Sequence, residues 1–170
     1  MRSLKLVLSS FIILFAIVTS IGLMFPSSVK VSRAVNINSP ADTVYKYLND
    51  VKYWKLWMDG ADTGTIVFLS AKTAGPGTVA KIGTGGEVTL TKNTSDSIYS
   101  DWKSGGGQIQ KSVFTLIKDA AGNVTTAQWS FEQQLGWYPW ERFGSMANDK
   151  ILGPIMEQSL DKLKRVLEKK

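Results

Sequence analysis

RAVNINSPADTVYKYLNDVKYWKLW, residues 33–57, changes its hydrophobic period along its length, and that change decides the fold reading. Its first residues complete an alternation that begins at Val29. Val29, Val31, Arg33, Val35 and Ile37 share one face and mostly polar residues the other, the pattern of a half-buried strand. Asn38-Ser39-Pro40 ends it: Ser39 is suited to cap a helix, Pro40 to a first helical position, and Asp42 to the positive end of the helix dipole. Val44, Tyr47 and Leu48 then recur at helical spacing. After Asn49-Asp50 a second short helical turn carries Tyr53, Trp54, Leu56, Trp57 and Met58. The prediction is one strand followed by a split helical pair whose second half is rich in aromatic rings.

Downstream the pattern turns β-rich, with strands predicted over 63–70, 78–83, 87–93, 97–103, 108–118 and 124–134. Gly75-Pro76-Gly77, Gly85-Gly86, Thr94-Ser95-Asp96, Gly105–Gly107 and Gly122-Asn123 supply the turns, and such short connections favour antiparallel neighbours. The glycine clusters form neither a Walker A loop nor a dinucleotide fingerprint. From about Glu141 the chain ends in an amphipathic helix with Ile151, Leu152, Ile155, Met156, Leu160, Leu163 and Leu167 as its apolar stripe. Gly153-Pro154 predicts a kink or a fresh helix start.

Upstream, Leu6–Phe25 (LVLSSFIILFAIVTSIGLMF) carries no charge, and as a helix it covers about 30 Å, the thickness of a bilayer core. A secretory signal shares the layout of Arg2 and Lys5 before the run and Pro26-Ser27-Ser28 after it. The length of the run and its poor cleavage site favour a retained anchor. The expectation is an anchor over 1–28 and a globular domain over 29–170, in a single-pass protein of the bacterial inner membrane. Arg2 and Lys5 favour a cytoplasmic N-terminus and an exported C-terminal domain, although Lys30 and Arg33 follow the span.

With no histidine and no cysteine among 170 residues, the chain excludes Ser–His–Asp and Cys–His catalysis, disulfides and thiolate metal sites. No cofactor and no metal is expected. The net charge of +6 gathers beside the apolar run and in the last residues, DKLKRVLEKK, without an aromatic-interleaved basic stripe, so nucleic acid is not expected as a partner. Glu87, Asp59, Asp101, Glu132 and Glu141 are the acids worth weighing for general acid–base work, and no two of them have a diagnostic spacing.

The order of elements, with RAVNINSPADTVYKYLNDVKYWKLW at 33–57, VTTAQWSFEQQ at 124–134 and GPIMEQSLDKLKRVLE at 153–168, resembles the START-like polyketide cyclase/dehydrase and lipid-transport superfamily, the helix-grip or SRPBCC fold. The resemblance implies an α+β fold. A seven-stranded antiparallel sheet would curl around the long C-terminal helix, with two short helices after the first strand and an apolar cavity inside. It also implies a hydrophobic small molecule or lipid as the partner, since most members bind such ligands and only some catalyse cyclisation, dehydration or hydrolysis.

In such a cavity the wall candidates are Trp57, Met58, Trp102, Trp129, Phe131, Met146, Leu152 and Met156, with Gln133 as a polar anchor at the mouth. Each is equally at home in a plain core. Trp137, Tyr138 and Trp140 in LGWYPWERF, residues 135–143, would form a lid, an interfacial anchor or a hinge. The favoured reading is non-catalytic binding of a hydrophobic molecule beside a membrane. The alternatives are a cyclase/dehydrase-like enzyme using a buried carboxylate, and an interaction module resembling chaperone-activator domains.

Overall fold

The structure is a computed structural model that describes residues 2–61, 66–83, 86–103, 107–145 and 148–169. An apolar helix, α1 (Arg2–Leu23), leads into β1 (Ser28–Ile37), helix α2 (Ala41–Asn49) and a 3-10 helix over Val51–Leu56. Six strands follow: β2 (Ile66–Phe68), β3 (Val79–Ile82), β4 (Gly86–Asn93), β5 (Ser97–Lys103), β6 (Ile109–Lys118) and β7 (Thr125–Gln134). Helices α3 (Pro139–Ser145) and α4 (Asn148–Glu168) close the chain. The predicted strand over 63–70 is shorter in the structure, and residues 62–65 lie outside the described ones.

The seven strands form one antiparallel sheet in the order β1-β7-β6-β5-β4-β3-β2. A meander from β2 to β7 accounts for most of it, and β1 then pairs with β7. The helical pair therefore has to carry the chain from one sheet edge to the other, and it does so across the inner face. Val44, Leu48, Val51 and Trp54 are buried there.

Helix α4 packs along β1, with Met156, Leu160 and Leu163 inside. Its apolar stripe is narrower than the sequence pattern implies, for Ile151 is 60% exposed. Nor does Gly153-Pro154 begin a new helix: α4 runs through Pro154 without interruption. Gly153 has a different role. The Arg33 guanidinium crosses the helix there, and a Cβ at Gly153 would collide with it. Arg33 Nε lies 2.5 Å from Glu157 and Nη2 3.0 Å from Asp149, one helical turn to either side of the glycine. These bonds, that to Glu157 first, push the guanidinium above its already high ordinary value.

Ser39 does not cap α2 as expected. Its N–H donates to the Ile37 carbonyl at 2.8 Å and its carbonyl accepts from Thr125 Oγ1 at 2.8 Å, which fixes it as a buried turn residue. Pro40 takes the cap position, with extended ψ and no side-chain bond. Asp50 caps the next segment, its carboxylate accepting from the Lys52 N–H at 3.2 Å and pairing with Lys52 Nζ at 2.9 Å.

Candidate functional site: an apolar cavity between sheet and terminal helix

The register of β6 and β7 sets Phe114 opposite Trp129, and the two rings stack at 4.9 Å. Because side chains alternate along a strand, Ala127, Trp129, Phe131 and Gln133 all face α4. Trp54 and Trp57 come up from the 3-10 helix to meet this wall: Trp57 lies 5.9 Å from Phe114 and 6.2 Å from Trp129, and Trp54 lies 5.8 Å from Trp102 and parallel to it. These rings pack together at one end of the grip.

The other end stays open. There the sheet and α4 diverge around a cavity of about 370 Å³, within the usual range for small-molecule sites. Trp102, Trp129 and Phe131 form its sheet wall, and Leu152, Ile155 and Met156 its helix wall. Met58, Asp59 and Gly60 border it from the turn after the 3-10 helix, and Ile82, Gly83 and Gly86 from the β3–β4 end. Gly60 and Gly83 adopt left-handed backbone conformations (φ +83° and +61°) that favour glycine, so the turns at this rim carry no side chain to fill the space.

The polar groups of the wall are mostly spoken for. Trp129 Nε1 donates to Ser112 Oγ at 2.8 Å and Trp102 Nε1 to Ser100 Oγ at 3.1 Å, which leaves ring faces and edges toward the cavity. Asp59 is the one carboxylate among the described lining residues. It pairs with Lys162 Nζ at 2.9 Å, and its N–H donates to Ser159 Oγ at 3.0 Å, tying the turn to α4. Among the described residues no three carboxylates come together as a metal site.

Of the wall residues expected from the sequence, Met58, Trp102, Trp129, Phe131, Leu152 and Met156 do surround this space. Trp57 does not: it is 0% exposed and sits behind the wall among Trp54, Phe114 and Trp129. Its Nε1 is buried with no partner among the described residues. The indole is held there because the 3-10 helix ends at Leu56 and turns it under the sheet, with the Trp57 backbone N–H bonded to the Trp54 carbonyl at 3.1 Å. Met146 lies outside the described residues.

Gln133 lines a neighbouring polar recess rather than the cavity itself. Its Oε1 accepts from Gln110 Nε2 at 3.0 Å and Asn148 Nδ2 at 3.3 Å, and its Nε2 donates to Gln108 Oε1 at 3.0 Å. Gln110 borders both spaces and was not among the wall residues expected from the sequence, nor were Ile82, the rim glycines and Ile155, which was placed only in the apolar stripe of the last helix. Gln110 shares an inward strand face with Ser112, Phe114 and Leu116, so the alternation of β6 held the signal.

Trp137, Tyr138 and Trp140 are exposed and lie in series, Trp137 tilted against Tyr138 at 4.4 Å and Tyr138 stacked on Trp140 at 4.7 Å. They lie in and just before α3, a separate short helix that the sequence reading had merged into the connection. Pro139 at its start and Glu141 in its first turn were the legible signs.

The family model described as polyketide cyclase/dehydrase and lipid transport matches residues 28–168. The chain belongs to this family. Solved structures with the same fold include a protein from Nitrosospira multiformis (11% identity, 83% of this chain and 97% of that one, TM-score 0.65). A START superfamily protein from Mycobacterium smegmatis is similar over 82% of this chain and 97% of its own, at 15% identity and TM-score 0.62. The di-domain ARO/CYC BexL from the BE-7585A biosynthetic pathway aligns over 85% of this chain and 51% of its own, at 12% identity and TM-score 0.65. No curated protein matches the chain. At these identities the neighbours establish the α+β helix-grip fold alone, and the family, polyketide cyclase/dehydrase and lipid transport, points to a ligand-handling domain. Helix α1 adds one candidate membrane span, Leu4–Leu23.

Proposed function

We propose that the chain is a membrane-tethered, non-catalytic binding domain that holds a hydrophobic small molecule or lipid between the sheet and α4. One observation carries the reading: a cavity of about 370 Å³ whose two tryptophans already spend their N–H groups on Ser100 and Ser112. Such a wall rewards apolar contact and offers little for directional recognition. The tether is read from α1, which exposes Leu8, Phe11, Ile12 and Phe15 along its length as a bilayer-spanning helix does. Arg2 and Lys5 before the span favour an exported C-terminal domain, and residues 29–170 form the binding unit.

A cyclase/dehydrase-like reaction would have to run through Asp59, the carboxylate at the cavity edge, and its pairing with Lys162 suits a structural tie better than a proton shuttle. A chaperone-activator-like module would have no use for the open volume. The test is native mass spectrometry of the full chain after incubation with a membrane lipid extract. A retained apolar species is expected, and finding none across lipid classes contradicts the reading.

A further inference from the structure

We propose that the cavity is entered from within the bilayer, through a portal between α1 and α3, and that it admits a neutral amphiphile with one apolar chain and an uncharged hydrogen-bonding head. The inference rests on the tethered-binding reading above. Three depressions lie in series. The cavity reaches Gln110. Gln110 also lines a recess of about 280 Å³ together with Gln133, Trp140, Glu141 and Asn148. Trp140 in turn lines an apolar groove of about 390 Å³ with Pro139 and Phe143 of α3 and Phe11, Phe15 and Val18 of α1. Among the described residues each junction has one shared lining side chain, Gln110 and then Trp140, so rotation of these two is the route that would join the three spaces.

The groove sits at membrane depth. Helix α3 is fastened to the end of α1: a Cβ on Gly22 would stand 3.3 Å from Pro139, Phe25 meets Phe143 edge-on at 5.4 Å, and Arg142 Nη1 donates to the Phe25 carbonyl at 2.5 Å. At about 1.5 Å per residue, Phe11 to Val18 lie roughly 7–18 Å from the Leu23 end of a span about 30 Å long. A bilayer that covers Phe11 and Phe15 therefore also reaches Trp140 and Phe143. Glu141 and Arg142 of α3 are engaged elsewhere, Glu141 accepting from the Gly136 N–H at 2.7 Å and Arg142 Nε donating to the Gly136 carbonyl at 3.0 Å. The recess between the two apolar spaces selects the head group. Among the described lining residues its donors and acceptors are the amides of Gln108, Gln110, Gln133 and Asn148, and the one charged group is Glu141. An anionic head meets no countercharge there, whereas a hydroxyl or amide exchanges hydrogen bonds with the side-chain amides.

The test uses the full chain in phosphatidylethanolamine–phosphatidylglycerol vesicles. Because the sequence has no cysteine, Phe143→Cys gives a unique site for a fluorophore, and Ser95→Cys in the exposed β4–β5 turn gives its reference. Lipids carrying nitroxides on their acyl chains should quench the label at 143 several-fold more than that at 95, and equal quenching overturns the portal. In parallel, a monoacylglycerol with a diazirine in its chain is photolysed in the same vesicles and in detergent micelles. Cross-links to Trp102 and Leu152 are expected from vesicles, and about tenfold fewer in Trp140→Lys, because a lysine resists burial at hydrocarbon depth. Phe143→Lys is the second variant should Trp140→Lys fail to fold, judged by circular dichroism.

Undiminished cavity labelling in a folded variant overturns the portal. So does labelling from detergent but not from vesicles, and that outcome leaves the cavity reading standing. Labelling in neither medium removes the cavity reading together with the portal.

Discussion

Two tryptophan-rich stretches, VKYWKLWMDG at 51–60 and LGWYPWERF at 135–143, look alike in composition and meet opposite fates. Trp54 is 0% exposed, its Nε1 donates to the Leu48 carbonyl at 2.9 Å, and rings surround it on three sides. Trp140 is 60% exposed and stacks on Tyr138 beside the apolar helix α1. Topology makes the difference. The first stretch belongs to the connection that must cross the inner face of the sheet from β1 to β2, so the sheet covers its rings. The second leaves the last strand beyond the sheet, where α1 is the near neighbour. Aromatic richness marks a site only after one knows what stands opposite.

The contrast can be broken by exchanging rings for methyls. Trp54→Ala should cost about 3–5 kcal/mol of folding stability, the range for large aromatic truncations in a core, as read from urea unfolding. A loss under 1 kcal/mol would mean the first cluster is not the structural keystone. A smaller effect is expected where β1 meets α4. In an Arg33→Ala background, Gly153→Ala should gain up to about 1 kcal/mol of helix propensity. With Arg33 present the same substitution should gain less, because the new Cβ displaces the guanidinium from Asp149 and Glu157. Additive effects in that double-mutant cycle would show that the crossing has no energetic weight. The smallest effect belongs to the second cluster: Trp140→Ala should alter stability by no more than about 0.5 kcal/mol in detergent, as expected for an exposed side chain. A loss comparable to that of Trp54→Ala would erase the distinction between the two stretches.

Much of the fold could be read from periodicity. The alternation at 29–37 and the helical spacing at 40–48 each give their element to within a residue or two, and so do the strand pattern at 97–103 and the glycine turns. What misled was chemistry that depends on distant partners. Ser39 reads as a cap, yet Thr125 claims its carbonyl across the fold. Gly153-Pro154 reads as a break, yet the glycine is there to let Arg33 pass over the helix. The wall of the cavity was legible in part because Trp129 and Phe131 share a strand face. Trp57 was misplaced because the 3-10 geometry that rotates it behind the wall leaves no periodic trace over so short a segment. Gly60 carries no sequence signal of its own, and only the folded chain shows that it and Gly83 keep the rim open.

The central claim is that the space between the sheet and α4 is where a hydrophobic molecule binds. Leu152 borders that space and is only partly buried, so Leu152→Trp can grow into it with little disturbance of the core. The direct measurement is equilibrium binding of a neutral environment-sensitive naphthylamine dye to the full chain in detergent, wild type against Leu152→Trp, with unfolding followed in parallel. The account predicts a loss of affinity of about tenfold or more, equivalent to roughly 1.4 kcal/mol, at nearly unchanged stability. Equal affinity in the two proteins would contradict it.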